Sequence, residues 1–185
     1  MKKIILSLLI LTIAFTSCKK EQDPFSIGKH HVGLLTDSTQ VKDIAAIFSK
    51  DSVVTNNSTS MFMGSNSDID IYEKGGKKLL TLTPVKANDS TSYIRSVRVF
   101  DPRYKTDKNV TVLSTFKDVS NNYKISKIDN MLGAVIVYVK ELNAMLTIDK
   151  KELPANIRFD SSMQIEAIHI PDNAKIKYFF LSWNK

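Results

Sequence analysis

Asp68-Ile69-Asp70-Ile71-Tyr72-Glu73-Lys74-Gly75-Gly76-Lys77-Lys78-Leu79-Leu80-Thr81-Leu82-Thr83-Pro84 is the stretch from which the fold can be read. Its first five residues alternate polar and apolar, the period-two pattern of a strand with one buried face. Gly75-Gly76 permits the positive φ angles of a tight hairpin turn. The return strand stops at Pro84, which has no amide hydrogen to donate to a ladder. Upstream, Val41, Ile44, Ile47 and Phe48 fall at helical spacing, predicting a helix that starts at Thr39 with Asp37, Ser38 or Thr39 as its cap. Downstream, Ile94, Val97, Val99 and Phe100 predict a further strand that ends before Asp101-Pro102.

The same order returns later in the chain. Lys42-Asp43-Ile44 through Phe48 finds a counterpart in Lys117-Asp118-Val119 through Tyr123, 75 positions on. Ile71-Tyr72-Glu73-Lys74 and Leu79-Leu80-Thr81-Leu82 match Val137-Tyr138-Val139-Lys140 and Met145-Leu146-Thr147-Ile148, at an offset of 66. Ile94 through Val99 parallels Ile165-Glu166-Ala167-Ile168-His169-Ile170, at 71. The expected fold class is therefore α+β: two tandem repeats, 30–108 and 109–185, each a helix followed by an antiparallel sheet. Side by side they would form one long sheet with both helices on one face. The opposite face, including the outward side chains Tyr72 and Tyr138, is then the expected binding surface.

The N-terminus says where such a domain resides. Lys2 and Lys3 precede an apolar run from Ile4 through Phe15, which closes in Ala14-Phe15-Thr16-Ser17-Cys18. The run is shorter than the roughly 20 apolar residues of a spanning helix. It resembles a bacterial lipoprotein signal, with Phe15 where leucine is usual. The resemblance implies removal of 1–17, lipid attachment at Cys18, a tether over 18–29, and a chain held at a membrane by its acyl groups. An outer-membrane anchor facing the periplasm is expected, with the cell surface as the alternative. Cys18 is the only cysteine, so its use as anchor leaves no disulfide and no thiolate chemistry.

The net charge of +7 falls to +5 without Lys2 and Lys3. The remaining lysines are scattered and lack the interleaved aromatics of a single-strand groove, so no nucleic-acid partner is expected. Gly33-Leu34-Leu35-Thr36, Thr39-Gln40-Val41 and Asp43-Ile44, with Ser114-Thr115-Phe116 and Asp118-Val119 in the second half, resemble the β-lactamase-inhibitor-protein-like fold. That fold is duplicated in the inhibitor proteins and single in small outer-membrane lipoproteins of the SmpA/OmlA type, which assist β-barrel assembly. The helix-ending glycine common there is replaced by Ser49 and Lys124.

Candidate chemistry is sparse. His30-His31 could meet a carboxylate such as Asp37 in a loop, but neighbouring side chains on a strand face opposite ways. His169 sits on the polar side of its expected strand. Asn66-x-Asp68-x-Asp70 opens like a calcium loop, yet Ile71 replaces the turn glycine and Lys77 the bidentate glutamate. No nucleophile elbow or phosphate-binding glycine loop occurs, and Asp160, Glu166 and Asp172 read as loop or strand-face residues. No catalytic residue, metal or cofactor is expected. Asp51-Ser52-Val53 and Asp89-Ser90-Thr91 resemble the O-glycosylation acceptor of exported proteins in the Bacteroidota, marking Ser52 and Ser90. The expected role is non-catalytic binding of an envelope protein, or assembly. An inhibitor acting through a protruding loop over 56–67 and an envelope hydrolase are the alternatives.

Overall fold

The computed structural model of the chain describes residues 22–60, 64–160 and 162–183, without the side chains of 57–60 and 64–66. Cys18 and the signal segment lie outside the described residues. Three short strands come first: β1 (Ser26–Gly28), β2 (His31–Val32) and β3 (Leu35–Thr36). A 3-10 turn over Val41–Asp43 runs into α1 (Ile44–Ile47). Then come β4 (Ser52–Ser60), β5 (Gly64–Tyr72), β6 (Lys78–Pro84) and β7 (Ile94–Val99). After β8 (Lys105–Thr106) follow α2 (Phe116–Asn122), β9 (Lys127–Asn130), β10 (Ala134–Val139) and β11 (Ala144–Asp149). The one-turn α3 (Ala155–Arg158) precedes β12 (Ile176–Ser182). The described residues are thus α+β to mainly β, with short helices.

The 68–84 hairpin forms as its pattern predicts. Gly75 and Gly76 adopt φ of 111° and 90°, and Glu73 and Lys77 close the turn through a 2.9 Å backbone hydrogen bond. This hairpin lies within an eight-stranded sheet of order β4-β5-β6-β7-β12-β11-β10-β9, with every neighbour antiparallel. Alternation then sorts side chains by face. One register row reads Ile71, Leu80, Val99, Phe179, Leu146, Val137; the next reads Ile69, Leu82, Val97, Leu181, Ala144, Val139. All twelve are buried, each large one contributing about 1.5–3 kcal/mol by leaving water.

The cover over this face is a second sheet, β3-β2-β1-β8, together with α1, α2 and the long connections. Ile27, Val32, Leu35, Ile44, Phe116, Val119 and Tyr123 from these elements join the same apolar cluster as the strands. Gly33 is essential to the small sheet's corner: its φ is +58°, and a Cβ there would stand 2.3 Å from the Pro24 carbonyl oxygen.

Both helical turns are tied through backbone to the segments that lead into β7 and β12. Val41 and Lys42 N–H donate to Ser92 and Ser90 carbonyls at 2.9 Å each. Phe116 and Lys117 N–H donate to Ala174 and Asp172 carbonyls at 2.8 and 3.0 Å. Isolated bridges join Gln40 to Tyr93 and Thr115 to Lys175. At the start of α2 the Asp118 carboxylate accepts the Thr115 N–H at 2.7 Å, which closes the cap.

Four expectations need correction. The first helix does not begin at Thr39: the Thr39 hydroxyl accepts the Thr36 N–H at 2.9 Å, which holds it in the preceding turn. Residues 165–170 are not a strand. Ile165 and Ile170 are buried, Ile168 is 87% exposed, and Ala167–His169 is a 3-10 turn, so the position expected for it in the sheet is taken by β12. The tether expected over 18–29 ends earlier, because Ser26–Gly28 pairs with β2 and β8 and Ile27 is buried. Residues 56–60 and 64–67 of the segment expected to protrude as a loop lie on β4 and β5, which pair as a ribbon that runs beyond the end of β6.

Candidate functional site: the open face of the sheet

The strand positions between the buried ones point to the other side of the sheet. One row crosses seven strands in register: Asp70, Thr81, Arg98, Phe180, Met145, Tyr138, Lys127. Beside it run Tyr72, Phe100, Tyr178, Thr147 and Ile136. Nearly all are half-buried, screened by one another rather than by a covering layer.

Its centre is Arg98. The guanidinium carbon lies 3.9 Å from the Tyr178 ring centre, 4.5 Å from Phe100 and 5.5 Å from Phe180. Tyr178 and Phe180 meet edge to face at 6.3 Å. Tyr72 and Tyr138, the two residues expected on this surface, are indeed both on it. They mark its flanks, on strands five steps apart, or roughly 24 Å at the usual strand spacing. Each carries a lysine over its ring: Lys78 at 5.7 Å from Tyr72 and Lys127 at 5.4 Å from Tyr138.

The carboxylates on the face are paired. Asp70, buried, accepts Asn56 Nδ2 at 2.7 Å and Thr81 Oγ1 at 2.6 Å, and pairs with Lys78 Nζ at 2.8 Å. Burial alone would raise its carboxyl pKa, but Lys78, Thr81 and Asn56 hold it below the usual range. Lys127 likewise lowers Asp129. Burial, reinforced by Asp129, raises Tyr138. Next to Tyr138 and Met145 the face dips into a hollow of about 310 Å³, bounded also by Lys127, Asn143 and Ser182.

The other candidates are dispersed. His30 Nδ1 is 2.8 Å from Asp37 Oδ2 at an exposed corner, whereas the His31 ring packs on Gly28. The two are not brought onto one ion site. His169 Nδ1 accepts the Glu166 N–H at 3.0 Å within the 3-10 turn, correcting its strand placement. Asp68 accepts the Thr83 hydroxyl at 2.8 Å from within β5, so the calcium-like spacing is part of a ladder. Asp160 binds the Ser162 and Met163 amides, and Asp172 pairs with Lys117 at 2.8 Å. Among the described residues no three His, Cys, Asp or Glu converge as a metal set, and no helix is long and apolar enough to cross a membrane. Ser52 and Ser90 are both exposed. Another cleft, about 650 Å³, lies away from this face between β1, β8 and the β10–β11 turn. There Tyr123 donates to Asp107 at 2.7 Å, and Lys108 lies 4.3 Å over the Tyr123 ring.

Sequence reading missed Arg98, Phe100, Tyr178 and Phe180. A strand arginine alternating with valines reads as a solvated residue. The available signal was Tyr178-Phe179-Phe180-Leu181, a run apolar on both sides of a strand.

No known family matches the chain, and no curated protein does. Among solved structures it is similar to the uncharacterized protein yfeY from Escherichia coli, at 15% identity and a TM-score of 0.57. The match covers 85% of this chain and 99% of that one. At that identity the likeness concerns the fold.

Proposed function

We propose that the chain is a cell-envelope lipoprotein, anchored through Cys18, that binds another envelope protein on the open face of its sheet without catalysis. The observation that carries this reading is the Arg98 row: aromatic rings, a methionine and cations line the side away from the core. Exposed faces rich in Tyr, Phe, Met and Arg have the composition of protein–protein contact surfaces.

The finer architecture belongs to this proposal. On this reading the halves are a duplication, each one helix-plus-sheet unit of the kind the resemblance to the β-lactamase-inhibitor-protein-like fold implies. Matched backbone contacts support it. Positions 40, 41 and 42 make the same bridge and hydrogen bonds as 115, 116 and 117, an offset of 75. Their partners 90, 92 and 93 correspond to 172, 174 and 175, an offset of 82.

A photo-crosslinking amino acid placed at Thr147 on the open face, in cells making the natively processed protein, tests the binding reading. The expected result is a discrete adduct from Thr147 and none from a control at Ser120, an exposed position on α2. Equal labelling from both positions, or none from Thr147, refutes it. A second reading, sequestration of a secreted enzyme, is favoured by the β4–β5 ribbon that runs past β6, and would give its adducts from Asn56.

A further inference from the structure

Every carboxylate paired by a lysine on the open face has that lysine to itself: Asp70 with Lys78 at 2.8 Å, Asp129 with Lys127 at 2.9 Å, Asp149 with Lys177 at 2.8 Å. Arg98 has no such partner. Among the described residues its guanidinium meets three aromatic rings and no hydrogen-bond acceptor. Three rings surround the guanidinium carbon, and its five N–H donors, with no acceptor among the described residues, are left to another molecule.

Resting on the reading of this face as a partner surface, we infer that Arg98 is its anion-recognition point: it takes an Asp or Glu side chain of a polypeptide, while a neighbouring apolar side chain of that polypeptide fills the hollow by Met145 and Tyr138. The geometry sets the spacing. Arg98 and Met145 are two strands apart in one register row, roughly 10 Å, which is about three residues of a polyproline-II peptide laid across the strands, whose side chains three apart fall on one side. The openness of the surface selects the occupant. An acyl chain needs walls that bury most of it, whereas this face offers one shallow hollow of about 310 Å³ within a mixed polar and apolar row. A polypeptide presents that mixture. The carboxylate gains a two-pronged, charge-assisted pair in a setting half-shielded from water.

The test uses the processed, acylated chain in neutral-lipid nanodiscs and fluorescent capped tetrapeptides, with anisotropy as readout. One peptide has glutamate first and phenylalanine last; its twin has glutamine for glutamate. The glutamate peptide is expected to bind at least about tenfold more tightly than its twin, as hydrogen bonds to a charged group require. Arg98→Gln removes that difference, Arg98→Lys keeps part of it, and Met145→Ala weakens both peptides. Unchanged thermal midpoints of the variants show that the fold is intact. Equal binding of the two peptides, a difference that survives Arg98→Gln, or no binding at millimolar concentration overturns the inference. So does Arg98-dependent binding of decanoate in place of the peptides, which assigns the face to a lipid-like anion. Thr147 adducts that persist in Arg98→Gln show the partner surface standing while the carboxylate assignment fails; absence of those adducts in the unaltered protein removes both.

Discussion

Replacing Asp101 by Asn tests what holds the N-terminal sheet to the rest of the fold. Asp101 is wholly buried just after β7, and its carboxylate ties together the β5–β6 turn, the chain after β7 and, through Arg103, the segment before β1. Lys77 from the β5–β6 turn reaches it at 2.9 Å. Arg103 binds it through the side chain at 2.9 and 3.1 Å and through its own N–H at 2.8 Å. Arg103 also pairs with Glu73 at 2.8 Å and lies 4.6 Å over Phe25, whose carbonyl accepts the Lys105 N–H. Burial alone would raise the Asp101 pKa, but these hydrogen bonds and the Arg103 charge lower it from 3.8 to about 2. A folded-state pKa below the unfolded one stabilises above the ordinary value, and the contribution is lost as pH falls from about 4 to about 2. The shift corresponds to roughly 2 kcal/mol. Lys77 and Arg103 keep 56% and 40% of their side-chain exposure, so the variant leaves them solvated. Its cost thus stays below the 3–5 kcal/mol typical of breaking a buried pair. For a domain of this size that is a fall in thermal midpoint of about 4–8 °C at pH 7. Circular dichroism melts of the native protein and Asp101→Asn from pH 7 to pH 2 should converge at the acid end, where the native carboxyl is itself protonated. A gap that stays constant down to pH 2, or no gap at pH 7, would falsify the assignment of this stability to the charge.

Neighbouring phenylalanines read the two faces of β12: Phe179→Ala should cost about 3–5 kcal/mol in denaturant unfolding, and Phe180→Ala about 1 kcal/mol. Equal costs would overturn the face assignment. Gly33→Ala should lower stability by more than about 1 kcal/mol, since it meets both a left-handed backbone and the Pro24 carbonyl; an unchanged thermal midpoint contradicts the corner described. Cys18→Ser should abolish metabolic labelling with palmitate and move the chain from the membrane pellet to the soluble fraction, and retention in the pellet counts against the anchor.

What was legible in the sequence was what local chemistry decides. The hairpin from Asp68 to Pro84 is written in alternation and two glycines, and α2 in its match to residues 42–48. β12 was hidden because Tyr178 and Phe180 face outward as apolar residues, which erases the alternation, while Ile165, Ile168 and Ile170 imitate it in a segment that never joins the sheet. Thr39 was misread for a related reason: as a helix start and as a turn acceptor it has the same local pattern, and only the Thr36 amide decides. Of the candidate site, alternation gave Tyr72 and Tyr138 at the flanks. Arg98 could not be found that way, because two of the three rings that give it a role come from a strand far along the chain.

That origin of the rings has a consequence within the proposed duplication. With the offset of 82 that relates 90, 92 and 93 to 172, 174 and 175, Arg98 corresponds to Phe180, and Val97 and Val99 to Phe179 and Leu181. In the sheet Arg98 pairs directly with Phe180, while Val97 pairs with Leu181 and Val99 with Phe179. On the proposed duplication, equivalent residues would meet across β7 and β12, about an axis between Arg98 and Phe180. In a symmetric pair of halves one side chain would face its own copy there: two arginines would repel, and two phenylalanines would offer no donor. On that proposal, divergence at this position, cation in one half and ring in the other, would turn the axis into a cradle that neither half holds alone. Phe100 from the first half and Tyr178 from the second complete it. The reading predicts that converting the axis back toward symmetry, by Arg98→Phe, leaves the sheet stable because the face stays apolar, yet removes the preference for an acidic partner. A variant that unfolds, or one that still discriminates glutamate from glutamine, would show that the arginine serves the sheet and not the partner.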